Sequence, residues 1–135
     1  MIIGSVSANI MSGDIENQDM SGKGDKFMPP YTIEEIKRRI LPVARKYKLS
    51  AVYLFGSYAR GEATADSDVD LLVDLRGSTV RGMDLGGLYN DLTYALEKEL
   101  DLVTVASLEY PTQRRGQLHF RETVKRERVM IYTAA

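Results

Sequence analysis

Cysteine is absent from the 135-residue chain. That excludes disulfides, thiolate metal sites and cysteine nucleophiles, and it suits the cytosol. No apolar run approaches the roughly 18–20 residues that a membrane span needs. The N-terminal MIIGSVSANIM carries no basic stretch ahead of its short apolar one, which argues against a signal peptide. A basic excess is missing too: the net charge is -1, against a general nucleic-acid binder. There is no Gly-Lys-Ser/Thr run, hence no P-loop. The single histidine, His119, has no carboxylate partner evident in the sequence and reads as a surface residue. A cytoplasmic protein is expected, with neither nucleic acid nor membrane as a direct partner.

What is present fits one domain with its own core. Residues 1–30 are rich in Gly, Ser, Asp, Asn and Met and show no period, so a flexible tail is expected there, with the domain over 31–135. Thr32 and Glu35 have capping-box spacing. Ile33, Ile36, Ile40, Ala44 and Tyr47 then recur at helical intervals. Pro42 falls inside this pattern and is expected to kink or split the helix. Ala51–Phe55 reads as a buried strand ending at Gly56, and residues 69–75 as a second strand. Leu85, Leu88, Leu92 and Leu96 mark an amphipathic helix over about 84–98, with Asp84 as its cap. A third strand over 101–105 follows with almost no turn. A basic segment, 114–128, reads as a helix and leads into a short strand, 129–132. Its charged face is either simply solvated or turned toward the nucleotide or an acidic partner.

The chemistry concentrates in 54–75, LFGSYARGEATADSDVDLLVDL. Asp68 and Asp70 sit one residue apart at the head of an apolar strand, so their side chains project to one face. Their Cα atoms would lie roughly 6–7 Å apart, a span that flexible carboxylates can use to bracket one divalent cation or a close metal pair. Hard cations such as Mg²⁺ take carboxylate oxygens and complete their shell with substrate phosphates. Upstream, Gly56-Ser57 offers a flexible residue and a hydroxyl where backbone N–H groups could hold phosphate. Asp74, about 13 Å beyond Asp70 along an extended chain, is too far to share its metal and reads as a strand-end residue. Asp101, opening the third strand, is the candidate third carboxylate; the alternative is a strand-start cap. Ser57 lacks the second glycine of a hydrolase elbow and is no nucleophile of that kind.

Gly56-Ser57, ten intervening residues, then Asp68-Val69-Asp70 before an apolar strand resembles the DNA polymerase β-type nucleotidyltransferase superfamily. The fuller text, from Leu54 to Gly61 and from Ser67 to Leu71, resembles its minimal nucleotidyltransferase (MNT) branch over about residues 32–132. The resemblance implies an α+β fold, a small mixed β-sheet flanked by helices. It implies that Gly56 and Ser57 bind the β/γ-phosphates of ATP, with Arg60 steadying the triphosphate. Asp68 and Asp70 would ligate two Mg²⁺ ions, and Asp101 would hold the nucleophile-side metal and assist deprotonation. Short members pair as antitoxins with a HEPN ribonuclease toxin, and the implied reaction is transfer of AMP from ATP to a toxin tyrosine. Two other readings are a stand-alone transferase for a small hydroxylated molecule, aminoglycoside-like, and a non-catalytic antitoxin that acts by binding.

Overall fold

The structure, a computed structural model, describes residues 30–134; the tail expected over 1–30 lies, but for Pro30, outside the described residues. The domain begins at the predicted capping box. Thr32 is the N-cap of α1 (Ile33–Lys46), and its hydroxyl accepts a hydrogen bond from the Glu35 amide at 3.0 Å. Pro42 does not split the helix, which runs unbroken across it. Proline removes the bond to the carbonyl four residues back, here that of Arg38. Both residues lie on the exposed face, where water can satisfy that oxygen.

The remaining elements are β1 (Ala51–Phe55), α2 (Gly56–Arg60), β2 (Val69–Asp74), α3 (Asp84–Leu96), β3 (Leu100–Thr104), α4 (Val105–Glu109), α5 (Arg115–Glu127) and β4 (Val129–Thr133). The strands form one mixed sheet in the order β3-β2-β1-β4. β1 runs antiparallel to β2 and β4, whereas β2 and β3 are parallel, joined through α3. The expected α+β fold is the one observed. Asp84 is the first residue of α3, not its cap; its carboxylate accepts from the Arg81 amide at 3.1 Å.

Side-chain alternation along the strands divides the core between two sheet faces. Val52, Leu54, Leu71 and Val73 pack with Ile36 and Ile40 of α1 and Leu88, Leu92 and Leu96 of α3. Phe55 and Leu72 point the other way, into a smaller cluster with Val124 of α5. Asp70 shares the face of Leu72, so the second, thinly covered face carries the polar chemistry.

The passage from α3 into β3 is tight and has no glycine. Glu97 makes the reversal with a left-handed φ of 55°. Tyr31 donates its hydroxyl proton to the Leu96 carbonyl at 2.7 Å, and Arg39 donates to that of Ala95 at 3.1 Å. These bonds satisfy carbonyls that a helix end leaves without partners. Lys98 then donates to the Ala65 carbonyl at 2.5 Å, fastening the turn to the loop that precedes Asp68.

Candidate active site

The site is built where β1 ends and β2 and β3 begin, on the face covered by α5. Phe55 pairs with Asp70 across β1 and β2, and Asp70 pairs with Asp101 across the parallel β2 and β3. Register partners on neighbouring strands project to the same side about 4.8 Å apart. Asp68 lies two residues before Asp70, just ahead of β2. Its approach is shaped by a turn in which Ser67 Oγ accepts from the Thr64 amide at 2.8 Å and the Ser67 amide donates to the Thr64 carbonyl at 3.1 Å. The three predicted aspartates therefore line one cleft, together with Gly56, Ser57 and Arg60.

Gly56 is required by its backbone and by its neighbour. Its φ is +74°, and a Cβ there would lie 2.0 Å from Oδ2 of Asp70. No other residue leaves the carboxylate room to lie against the main chain. α2 begins at this glycine, and Gly61, with φ 77°, ends it after a single turn.

The electrostatics show accumulated negative charge. Burial, followed by repulsion from Asp101 and Asp68, raises the Asp70 carboxyl from its ordinary 3.8 to about 6, with Arg60 opposing. Arg60 itself is bound by carboxylates: Nε donates to Glu62 at 2.9 Å and Nη1 to Glu127 of α5 at 3.1 Å. Its pKa is raised by Glu62 first and Glu127 second.

Among the described residues no group of three or more His, Cys, Asp and Glu side chains is gathered tightly enough to hold a metal alone. The donors nonetheless suit Mg²⁺, which is commonly held by one or two carboxylates plus substrate phosphates, not by an all-protein cage. The mutual repulsion at Asp70 is the charge imbalance that such a cation offsets.

Asp74 is absent from the cleft. It is buried at the end of β2, where Arg76 donates to both of its oxygens and lowers its pKa. His119 is exposed on α5. The sequence did not single out the α5 wall of the cleft, which includes Phe120, Thr123, Val124 and Glu127. Its only trace was the four-residue spacing of Phe120 with Val124 and of Thr123 with Glu127 inside a segment dominated by charge. The basic side chains of Arg115, Lys125 and Arg126 are exposed. Among the described residues no helix is long and apolar enough to cross a membrane.

The chain's similarities follow this geometry. Residues 33–131 match the family described as nucleotidyltransferase domain. The chain is 41% identical over 76 residues to a candidate protein adenylyltransferase of Methanocaldococcus jannaschii, covering 56% of this chain and 81% of that protein. It is 38% identical over 60 residues to the protein adenylyltransferase MntA of Shewanella oneidensis, covering 44% of this chain and 42% of MntA. Among solved structures, a candidate minimal nucleotidyltransferase superposes with a TM-score of 0.53 at 29% identity, covering 73% of this chain and 95% of that one. A toxin–antitoxin structure with AMP-PNP superposes with a TM-score of 0.54 at 24% identity, covering 73% of each chain. The last of these is a likeness of fold alone.

Proposed function

The chain belongs to the nucleotidyltransferase domain family, and on that premise we propose that it is a cytoplasmic antitoxin that adenylylates a partner. The reaction is transfer of AMP from ATP to a tyrosine hydroxyl of a HEPN ribonuclease toxin, which inactivates the toxin. The observation that carries this reading is the register pairing of Asp70 with Asp101, beside Asp68 and against Gly56. Three carboxylates line the same cleft as a turn suited to phosphate, which supports this reading. The adenylyltransferase relatives support the choice of AMP and of a protein acceptor. The HEPN partner rests on the resemblance of the Gly-Ser and Asp-x-Asp text.

Each residue has a part in this chemistry. Backbone N–H groups at Gly56 and Ser57, with the Ser57 hydroxyl, hold the β- and γ-phosphates, since the first turn of a helix leaves its amides without internal partners. Asp68, Asp70 and Asp101 are the residues that would hold the two Mg²⁺ ions. When bound, Mg²⁺ neutralises the triphosphate and makes the acceptor hydroxyl more acidic. Asp101 takes up the tyrosine proton. The phenolate oxygen then bonds to the α-phosphorus while the bond to the β-phosphate oxygen breaks, releasing pyrophosphate. Arg60, which lines the cleft, offers its Nη2 group to a phosphate oxygen while Nε and Nη1 stay on Glu62 and Glu127.

The position of a radiolabel tests this assignment. Incubated with the chain and the product of the adjacent gene, α-labelled ATP should transfer label to that product and γ-labelled ATP should not. Transfer of the γ-label would identify phosphoryl transfer instead, and transfer of neither would remove the assignment.

A further inference from the structure

The cleft, of about 440 Å³, is lined by residues of two chemistries. Gly56, Ser57 and the aspartates are polar; Phe55, Phe120 and Val124 are apolar, and Thr123 belongs to the same lining. The volume lies within the range of about 300–1,000 Å³ typical of small-molecule sites. Of the residues of α5 only Val124 is buried, and Phe120 keeps 40% of its surface exposed although it faces the cleft. Its ring meets Phe55 edge-to-face, with centroids 5.9 Å apart and planes at 79°. Such a pair commits an edge of one ring to a face of the other and leaves ring surface open to a third partner.

This wall is held in place at both ends. Glu127 accepts from Arg60 at 3.1 Å, joining α5 to α2. Arg121 donates to the carbonyls of Ser107 and Tyr110, joining it to α4. Phe55 directly precedes Gly56, so the aromatic pair begins one residue from the phosphate-binding turn. Carboxylates that suit a cation, beside an apolar aromatic surface, match a nucleotide, whose phosphates bring Mg²⁺ and whose base carries a π-face.

The geometry points to Phe120 as the platform on which the nucleobase of the bound nucleotide stacks. This inference rests on the proposed nucleotidyl transfer and adds to it where the base sits. Aromatic platforms accept bases through their π-faces, and their removal weakens binding by about 5- to 150-fold.

Titration calorimetry on the full chain with Mg²⁺ tests the platform, with a non-hydrolysable ATP analogue and inorganic tripolyphosphate as the two probes. Phe120→Ala and Phe120→Leu should weaken the nucleotide about 5- to 150-fold and leave tripolyphosphate within about twofold. Phe120→Trp, which keeps a π-face, should bind both as the native chain does. Equal loss of both probes would mean that Phe120 acts by supporting the fold, and the inference fails. Unchanged nucleotide binding in Phe120→Ala would also overturn it, and would assign the ring to the acceptor. A native chain that binds neither probe would overturn the functional reading itself.

Discussion

Replacing Asp70 by Asn should make the protein more stable while ending its activity. Asp70 lies against Gly56 and faces Asp101 and Asp68, and its carboxyl is raised from 3.8 to about 6. A pKa that is higher folded than unfolded means the folded chain binds this proton more tightly, so ionisation weakens the fold. The cost is absent below about pH 4 and complete above about pH 6–7. A shift of about two units corresponds to about 3 kcal/mol at most, and solvent at the open cleft lowers this to about 1–2 kcal/mol. Asn has nearly the same shape without the charge. In metal-free buffer at pH 7.5 the Asp70→Asn protein should therefore melt roughly 5–10 °C above the native one. At pH 4 the two melting curves should converge. Thermal unfolding followed by circular dichroism, stepped from pH 4 to pH 8 in EDTA, measures both. A variant that is less stable at pH 7.5, or more stable by the same margin at every pH, would refute the claim that burial and the neighbouring carboxylates make ionised Asp70 costly. Mg²⁺ should raise the native melting temperature in the same buffer and have little effect on the variant.

Gly56→Ala combines a left-handed φ with a Cβ 2.0 Å from Asp70 Oδ2, so it should lose about 2–4 kcal/mol in a urea titration and lose transfer activity with it. Asp101→Asn should lower the turnover rate about 10²- to 10⁴-fold, with nucleotide affinity held within a few-fold in calorimetry; a comparable collapse of affinity would reassign Asp101 to nucleotide binding. Thr32→Ala removes the cap of α1 and should cost about 1 kcal/mol of stability in the same titration, with the rate of transfer unaltered.

Much of the fold was legible because its signals were local. The Thr32–Glu35 cap, the five apolar residues of β1 and the leucine spacing of α3 each need only a few neighbouring residues to be recognised. The Asp68–Asp70 pair was legible for the same reason, since period-two alternation places both on one face. Asp101 was harder. Its place beside Asp70 depends on a parallel register and on a glycine-free turn that Glu97, Tyr31 and Arg39 make possible. Two of those residues lie in or next to α1, far off in the chain. The sequence left the face of α5 open between solvent and nucleotide, because Phe120 and Val124 are few among many charges. Which side chains line the cleft is settled only once the helix is packed over Phe55 and Leu72. Pro42 misled because the penalty for an interior proline depends on whether water reaches the freed carbonyl, which burial decides and sequence does not.

Intact-mass spectrometry of the adjacent-gene product tests the central claim most directly, after incubation with the chain, ATP and Mg²⁺. The product should gain one or more adenylyl units, mapping to tyrosine, and should gain none when the chain carries Asp68→Asn and Asp70→Asn together. An unmodified product with the native chain, or an adenylylated one with the double variant, would contradict the assignment of nucleotidyl transfer to these aspartates.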